Sequence, residues 1–309
     1  MRIKNIIISS LLFLCFFEFI YAESRKSFWI DLLQYEPVSY EQIVYDLKNV
    51  DIIYFGESHR IDRHHDMHKR LLNDLCKNEK RPILLGVEQL EHKFQSDLDN
   101  YNGKKITFEK LAKDTNWKKR WGNYEDYKPI FETARTCGMK IIALNAPLEA
   151  VREIGRKGLS SLSEDEKKLI AKDIDLSDAA HKKYISLVLQ VHAHMTPEKT
   201  ETVYQAQVTR DETMAENMAN EIRNMKTKPL ALVIAGSGHV EYGFGVPNRI
   251  KRRVPDLKHR IILFSESGDL VLTETEKAQS KSISITHDDL HFLPAPAGNY
   301  VHITEQKPD

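Results

Sequence analysis

Two short glycine–histidine segments combine residue types that can transfer protons. Gly56-Glu57-Ser58-His59 and Gly236-Ser237-Gly238-His239 share the spacing G-x-x-H, and a further acidic residue, Glu88, ends another apolar run. A histidine close to a glutamate can act in general acid–base catalysis or bind a divalent metal ion. Glycine lets the backbone turn sharply beside such a group. The two segments therefore indicate a chemical site if the fold brings them together.

The same residues could instead have a structural role. A glutamate or histidine after a strand often caps the next helix or accepts hydrogen bonds from loop amides. Four such residues together favour a functional site, so we expect a catalytic group formed by Glu57, His59, Glu88 and His239. If that group uses a metal ion, His59 and His239 are the predicted ligands. A hydrogen-bond network that binds no ligand is the remaining alternative.

Five short apolar segments predict the strands that position these residues. They are rich in Ile, Val and Leu and occupy positions 51–57, 82–88, 140–146, 230–236 and 260–266. Runs of this kind suit strands buried on both faces of a parallel sheet. Amphipathic segments between them predict helices, so the fold class is α/β, with a mainly parallel sheet flanked by helices. Ligands bind beyond the carboxyl ends of such strands, where the four residues would converge.

One region, residues 148–200, contains no predicted strand. It is helical and charged, and the sequence Ser163-Glu164-Asp165-Glu166 has the pattern of a helix start. We expect a helical insertion packed over one edge or end of the sheet, and this insertion could serve as a lid or as a dimer surface. A second long helix is predicted over positions 203–225.

The first predicted helix, at about 62–78, carries several histidines. His64 and His68 have the i, i+4 spacing that helical metal ligands often have. They share a stripe with Leu71 and Leu75, however, and an apolar stripe faces the core. We therefore favour buried, packed histidines over metal ligands at these positions.

The first 22 residues have the pattern of a secretory signal peptide. Basic residues precede an apolar run at positions 6–17, and Ala22 suits cleavage. The run is short for a membrane span, which needs about 20 residues. Cys15 raises the alternative of a lipid anchor, but Leu14 stands where lipid attachment favours a small residue, which puts the anchor in doubt. We expect export to the periplasm, the outer membrane or the cell surface.

Two cysteines, Cys76 and Cys137, follow the predicted leader. An oxidising compartment would allow a disulfide between them, and two buried thiols are equally compatible with the sequence. No C-x-x-C pair is present in the sequence, which disfavours thiolate zinc sites and thioredoxin-like chemistry.

Basic and acidic side chains balance, with 45 of each. Proteins that bind nucleic acid usually carry a clear basic excess, because they neutralise phosphates. We therefore expect no nucleic-acid partner.

The order of short motifs along the chain resembles the ChaN family of haem-binding uptake proteins. The motifs are FGESH, LLGVEQLEHKFQSDLDNY, W-x-x-x-W with YKPIFETAR-x-x-G, ALNAP, Y-x-AQV-x-x-DETMAE, and IAGSGHV followed by GVP. The resemblance covers roughly residues 50–250. Together with the leader at 1–22 and the insertion at about 148–200, it predicts a ChaN-like α/β domain at 23–275, followed by a C-terminal extension at 276–309 that lies outside the resemblance.

This resemblance implies a haem cofactor (iron protoporphyrin) held where two monomers meet, with a tyrosinate from one subunit as the iron ligand. An anionic oxygen ligand suits ferric haem. Tyr204, in the Y-x-AQV motif, and Tyr184, in the insertion, are the candidate ligands. The family's histidine and lysine contacts to the haem propionates would correspond to His181 and Lys182. A homodimer that forms on haem and membrane-associated haem transport components are the implied partners.

The chain departs from the family pattern before Asp211, where Thr209 and Arg210 stand in place of an aromatic residue, which puts a role of that helix in the site in doubt. The wider group also includes Tiki-type proteases, the TraB type and erythromycin esterases. An enzyme therefore stays open as the competing function: a hydrolase that depends on a divalent metal or on the Glu and His residues named above.

Overall fold

The computed structural model describes residues 27–191, 195–267, 274, 278, 284–293 and 295–305. The predicted leader at 1–22 lies outside the described residues. The strands are β1 (Ser27–Asp31), β2 (Glu36–Val38), β3 (Ile52–Glu57), β4 (Ile83–Glu91), β5 (Lys140–Asn145), β6 (Leu230–Gly236), β7 (His259–Ser267) and β8 (Tyr300–Glu305).

The helices lie mainly between these strands. They are α1 (Tyr40–Leu47), α2 (Asp62–Asn78), α3 (Gln95–Asn102), α4 (Phe108–Asp114), α5 (Trp117–Arg120), α6 (Lys128–Thr136), α7 (Leu148–Lys157), α8 (Glu164–Lys167), α9 (Ala179–Leu189), α10 (Pro197–Asn224), α11 (Val246–Arg253) and α12 (His287–Leu290). Single 3-10 turns lie at His92–Phe94, Tyr124–Tyr127, Leu159–Ser161, Ser237–His239 and Glu241–Gly243. Among the described residues, no helix is both long and apolar enough to cross a membrane.

One eight-stranded sheet forms the centre of the molecule, in the order β2-β1-β8-β7-β3-β6-β4-β5. The five strands predicted from the sequence are all present and run parallel to one another. The sheet is mixed because β1 pairs antiparallel with both β2 and β8. The predicted α/β fold with a mainly parallel sheet is therefore confirmed.

Helices cover both faces of the central part of the sheet, which explains why strands such as β3 and β6 are apolar along most of their length. Along β3, Ile53 and Phe55 pack in the core on one face, and Ile52 and Tyr54 pack in the core on the other. Because successive strand residues point to opposite faces, a strand covered on both sides must be apolar at every position.

The predicted insertion is helical, as expected, and contains no strand among its described residues. Its capping sequence is confirmed: the Ser163 hydroxyl accepts from the amide of Glu166, whose carboxylate accepts from the amide of Ser163. The long helix begins earlier than predicted, because Thr196 caps it and Pro197 occupies its first turn. Proline is well suited to that position, since its missing N–H would have no helical partner there.

A disulfide joins Cys76 and Cys137, with the two Cα atoms 5.8 Å apart. Cys76 lies near the end of α2, and Cys137 caps the end of α6. Of the two alternatives left by the sequence, the structure has the bridge. It ties together two helices on the same face of the sheet.

Candidate functional site

The strand-end residues predicted from the sequence converge at the carboxyl edge of three neighbouring strands. Glu57 is the last residue of β3, and it pairs in register with Gly236, the last residue of β6. Glu88 comes from β4, on the other side of β6. β4 continues to Glu91 through an irregularity after Val87, so Glu88 lies inside the strand instead of ending it as predicted.

The Glu57 carboxylate is buried and collects several donors. Its Oε1 atom accepts from His59 Nδ1 (2.8 Å), Gln89 Nε2 (3.0 Å) and the Tyr127 hydroxyl (2.5 Å). Its Oε2 atom lies 3.2 Å from His68 Nδ1 and 3.5 Å from His65 Nε2. Glu57 therefore fixes the orientation of the His59 ring.

Glu88 is a second buried carboxylate, and it lies between the two predicted histidines. His239 Nε2 is 3.3 Å from Glu88 Oε1, and His59 Nε2 is 3.8 Å from Glu88 Oε2. The amide of Gly236 donates to Oε2 (2.7 Å), and the guanidinium of Arg210 donates to Oε1. Each histidine thus turns its Nε2 atom toward the same carboxylate.

A third carboxylate orients His239. Asp211 Oδ1 lies 2.5 Å from His239 Nδ1, as Glu57 lies beside His59 Nδ1. A carboxylate bound to one ring nitrogen selects the tautomer and direction of the other nitrogen. The two G-x-x-H segments therefore present two oriented histidines.

Gly236 is required by the close approach of these groups. A Cβ atom at this position would lie 2.8 Å from His59 Nε2. The backbone amide of the same residue binds Glu88. Any larger residue would push the His59 ring away from Glu88.

The charges of the site set its protonation. Burial alone would lower the pKa of His239, but the Glu88 and Asp211 carboxylates raise it to about 9. Burial likewise opposes ionisation of Glu88, yet the charges of His239 and Arg210 hold its pKa well below the usual range. For His59, the hydrogen bond that Nδ1 donates to Glu57, together with the nearby carboxylate charges, outweighs burial and raises the pKa. These directions follow from opposite charges at short range.

Sequence reasoning missed Asp211 and gave Arg210 only a doubtful role. Both lie on α10, and Asp211 is fully buried. Every residue from Thr209 to Thr213 is polar, so the sequence does not single out Asp211. A buried charged side chain needs a partner, and the fold supplies both partners: Glu88 of β4 for Arg210, and His239 in the turn after β6 for Asp211.

The histidines of α2 are buried, as the stripe with Leu71 and Leu75 predicted. Burial lowers the pKa of His68 to about 3 and that of His64 to about 4, so both rings are neutral. His64 Nδ1 accepts from the amide of Ser58.

The four predicted haem contacts lie on α9 and α10, and among them His181 borders the carboxylate cluster, with its Nε2 atom 4.0 Å from Asp211 Oδ2. Tyr204 is fully buried, and its hydroxyl donates to the carbonyl of Asp178 (3.2 Å). Tyr184 is partly buried, and its hydroxyl donates to the Glu241 carboxylate. His181 is fully buried, whereas Lys182 is exposed and pairs with Glu201. The roles of these residues, and the metal role of His59 and His239, stay predictions.

A cavity of about 440 Å³ opens beside the strand ends. Ser58 and Ser237, the middle residues of the two G-x-x-H segments, line it together with Glu241 and apolar residues such as Leu263 and Phe264. A small organic molecule would therefore reach the edge of the site.

Comparison with known proteins identifies a family. The sequence model of the haem-binding uptake proteins of the Tiki superfamily, ChaN, matches residues 43–250. Protein RETICULATA-RELATED 5, a chloroplastic protein of Arabidopsis thaliana, is 26% identical over 246 residues, which is 74% of this chain and 33% of that protein. The chain thus spans about a third of the length of this relative.

One solved structure shows the same fold. A structure of cofacial haem binding to ChaN of Campylobacter jejuni superposes with a TM-score of 0.66, at 19% identity, over 91% of this chain and 98% of that one. A mutant of the erythromycin esterase EreC in its open conformation gives a TM-score of 0.46 at 11% identity, over 77% of each chain, which is too distant to support a shared function. By the length of the family match, the chain belongs to the ChaN family.

Proposed function

Since the chain belongs to the ChaN family of haem-binding uptake proteins, we propose that it binds ferric haem through Tyr184. The observation that carries this proposal beyond the family is the position of Tyr184: its side chain is only partly buried, on a helix of the insertion, with other aromatic rings around it. An iron ligand must be reachable from outside, and Tyr184 meets that condition.

The surroundings of Tyr184 fit a porphyrin. The Tyr242 ring lies 5.2 Å from the Tyr184 ring, and the Phe244 ring lies 5.8 Å from it, measured between centroids. Flat apolar rings can pack against the macrocycle. Lys182 and Lys183, on the same helix, are exposed and available to pair with a propionate.

The Tyr184 hydroxyl is protonated in the free protein, because burial and the Glu241 charge raise its pKa. Binding of ferric iron requires a tyrosinate, so the proton must leave. Glu241 already accepts the hydrogen bond from this hydroxyl and is positioned to take that proton.

Tyr204 is the weaker of the two candidates. Its ring is fully buried, and its hydroxyl is bound to two backbone carbonyls, those of Leu176 and Asp178. Iron could reach it only if α9 moved away from α10.

Two further properties of the protein are proposed: that it dimerises on haem and that it is exported. We propose that two copies bring their haems face to face, by analogy with the cofacial haem binding of ChaN from Campylobacter jejuni. A single tyrosinate leaves the second face of each haem free, which suits such stacking. We also propose export to the periplasm, outer membrane or surface, and the disulfide supports it, because such bonds persist in oxidising compartments.

Titration with hemin tests the haem site. The wild-type protein should develop a high-spin ferric band and change from monomer to dimer in analytical ultracentrifugation as hemin is added. Tyr184→Phe, which removes only the hydroxyl, should weaken hemin binding at least tenfold. Tyr204→Phe is the matched control and should bind like the wild type. Equal binding by the wild type and Tyr184→Phe would refute Tyr184 as the ligand, and an unchanged hemin spectrum would refute the function.

A second function, acid–base catalysis, is favoured by the orientation of His59. Glu57 holds its Nδ1, its Nε2 faces Glu88, and its side chain is 31% exposed. A histidine fixed in this way can activate water for hydrolysis.

Hydrolysis of a panel of aryl esters tests this second function. If His59 is the base, His59→Gln should lower the rate at least about a hundredfold, and the exposed His291→Gln should leave it unchanged. A chelator that abolishes the wild-type rate would favour the metal-dependent form of the hydrolase. Equal rates in wild type and His59→Gln would exclude His59 as the base.

A further inference from the structure

We propose that Asp62, His65 and Asp126 form a binding site for a divalent transition-metal ion such as Zn²⁺. The site is separate from the haem position and does not rest on haem binding. It lies where the start of α2 meets the 3-10 turn Tyr124–Tyr127.

The geometry brings three ligand atoms together from two elements. One ring nitrogen of His65 and one carboxylate oxygen each of Asp62 and Asp126 all lie within 4.8 Å of one another. Asp62 and His65 are three residues apart in the first turn of α2, and this spacing places both on one face of the helix. Asp126 approaches from the 3-10 turn.

The key observation is that the buried ring of His65 lacks hydrogen-bond partners within the described part of the chain. Its side chain is buried (5% exposed), yet neither ring nitrogen has a hydrogen-bond partner among the described residues. A buried polar atom without a partner is costly, typically about 1–3 kcal/mol. Nε2 lies 3.5 Å from Glu57 Oε2, and one of the two ring nitrogens lies within 4.8 Å of the aspartate oxygens. A metal ion bound to that nitrogen would give it a partner.

The two carboxylates are equally available. Within the part of the chain that the structure describes, neither Asp62 nor Asp126 forms a hydrogen bond or ion pair through its side chain. Asp62 is exposed and Asp126 is partly exposed, so both can adjust their rotamers. In tetrahedral zinc coordination, bonds of about 2.0–2.2 Å place ligand atoms about 3.3–3.6 Å apart. The ligand atoms here lie up to 4.8 Å apart, so rotation of the two aspartate side chains by roughly an ångström would close the site.

The donor set selects the class of ion. Two carboxylates and one imidazole suit Zn²⁺ or another first-row transition ion, whereas Mg²⁺ and Ca²⁺ prefer oxygen ligands alone. Three protein ligands also leave a coordination position for water.

The ion would extend the hydrogen-bond network of the site. With the metal on Nδ1, His65 carries its proton on Nε2 and donates it to Glu57 Oε2, an oxygen without a hydrogen-bond partner among the described residues. Metal-bound histidines commonly donate their second N–H to a carboxylate in this way. Glu57 would then hold His59 through Oε1 and the metal-bound His65 through Oε2.

Calorimetric titration of the untagged, disulfide-bonded protein with ZnCl₂ tests this proposal. Asp126→Asn and Asp62→Asn keep the side-chain size and remove a ligand charge, so each should weaken one Zn²⁺ equivalent at least tenfold. The matched controls are Asp66→Asn, which is exposed on the same helix, and Glu125→Gln, which is exposed in the same turn. Both controls should bind like the wild type.

A second measurement identifies the histidine. Co²⁺ in place of Zn²⁺ should give visible d–d absorption in the wild type that His65→Gln abolishes, with far-UV circular dichroism confirming that the variant is folded. MgCl₂ at equal concentration should not displace the ion. If neither aspartate variant changes Zn²⁺ stoichiometry or affinity, or if Mg²⁺ competes equally, the proposed site is wrong. If His65→Gln is unfolded, the two aspartate variants decide the question alone.

Discussion

The two G-x-x-H histidines occupy matching places on neighbouring strands but differ in exposure and charge. His59 has 31% of its side chain exposed, whereas His239 has 7%. His239 lies between two buried carboxylates that raise its pKa to about 9, so it is charged near neutral pH. His59 has one carboxylate on Nδ1 and faces a second one at 3.8 Å.

This difference in exposure suits the two histidines to different roles. A histidine that stays charged and enclosed balances Glu88 and Asp211 but exchanges protons poorly with a ligand. Under the proposed acid–base function, the partly exposed His59 would be the histidine that acts on a bound molecule. The environment of each G-x-x-H histidine depends on the residues that pack beside it.

The largest expected effect comes from removing the partner of the enclosed histidine. Asp211→Asn should lower the free energy of unfolding by about 3–5 kcal/mol, because it leaves the charge of His239 buried with weaker compensation. Chemical denaturation at pH 7 measures it. Asp175→Asn is the control, since Asp175 pairs with Arg252 at the surface and should cost less than about 1 kcal/mol. If both variants lost the same free energy of unfolding, Asp211 would not be compensating a buried charge on His239.

The next largest effect on stability should come from the disulfide, which joins α2, the helix that follows His59, to α6. The bond joins residues 61 positions apart. Closing a loop of this size typically stabilises a protein by about 2–4 kcal/mol. The double variant Cys76→Ser/Cys137→Ser should lose that amount in denaturation, and reducing agent should then change the wild type but not the variant. Identical stability of wild type and variant would show that the bond adds nothing.

The pH dependence of stability should report His239 in particular. Its folded pKa of about 9 lies above the ordinary 6.5. The stabilisation that protonated His239 gains from Glu88 and Asp211 is therefore fully present below pH 6.5 and is lost as the pH rises through about 9. Between these values the free energy of unfolding should fall by about 2–3 kcal/mol.

Denaturation curves across this pH range measure the slope, and His239→Gln should flatten it. A slope that is the same in His239→Gln as in the wild type would mean that His239 is not held charged.

The smallest effect on stability should follow from changing the open histidine. His59→Gln should cost less than about 1 kcal/mol, because Glu57 keeps its hydrogen bonds from Gln89 and Tyr127. Diethyl pyrocarbonate, read out by mass spectrometry, should modify His59 well before His239. Modification of both histidines at the same rate would show that they do not differ in exposure to solvent.

Much of the fold could be predicted because the parallel strands are covered on both faces. Their continuous apolar runs, such as Leu230–Gly236, are typical of strands that are buried on both faces of a parallel sheet. The short strands β1 and β2 show no such pattern, since they have five and three residues and mix polar with apolar side chains. The convergence of Glu57, His59, Glu88 and His239 followed from the rule that ligand sites form at strand ends.

The rest of the site depends on contacts between residues far apart in the chain. Asp211 meets His239 across 28 positions, and Tyr127 meets Glu57 across 70. No local pattern shows that a helical aspartate faces a particular histidine. Only the packing of α10 against the sheet determines this contact.

The place of β8 in the sheet has a consequence for the order of folding. β1 is synthesised early, yet it reaches the rest of the sheet only through β8, where Ser27 pairs with Thr304. Pairing of such distant segments is slow, because a long stretch of chain must be closed into a loop first. A nascent chain that lacks Tyr300–Glu305 would expose the unpaired edge of β7, an edge that invites aggregation. Protection of the growing chain by a chaperone should therefore matter until the final strand is in place.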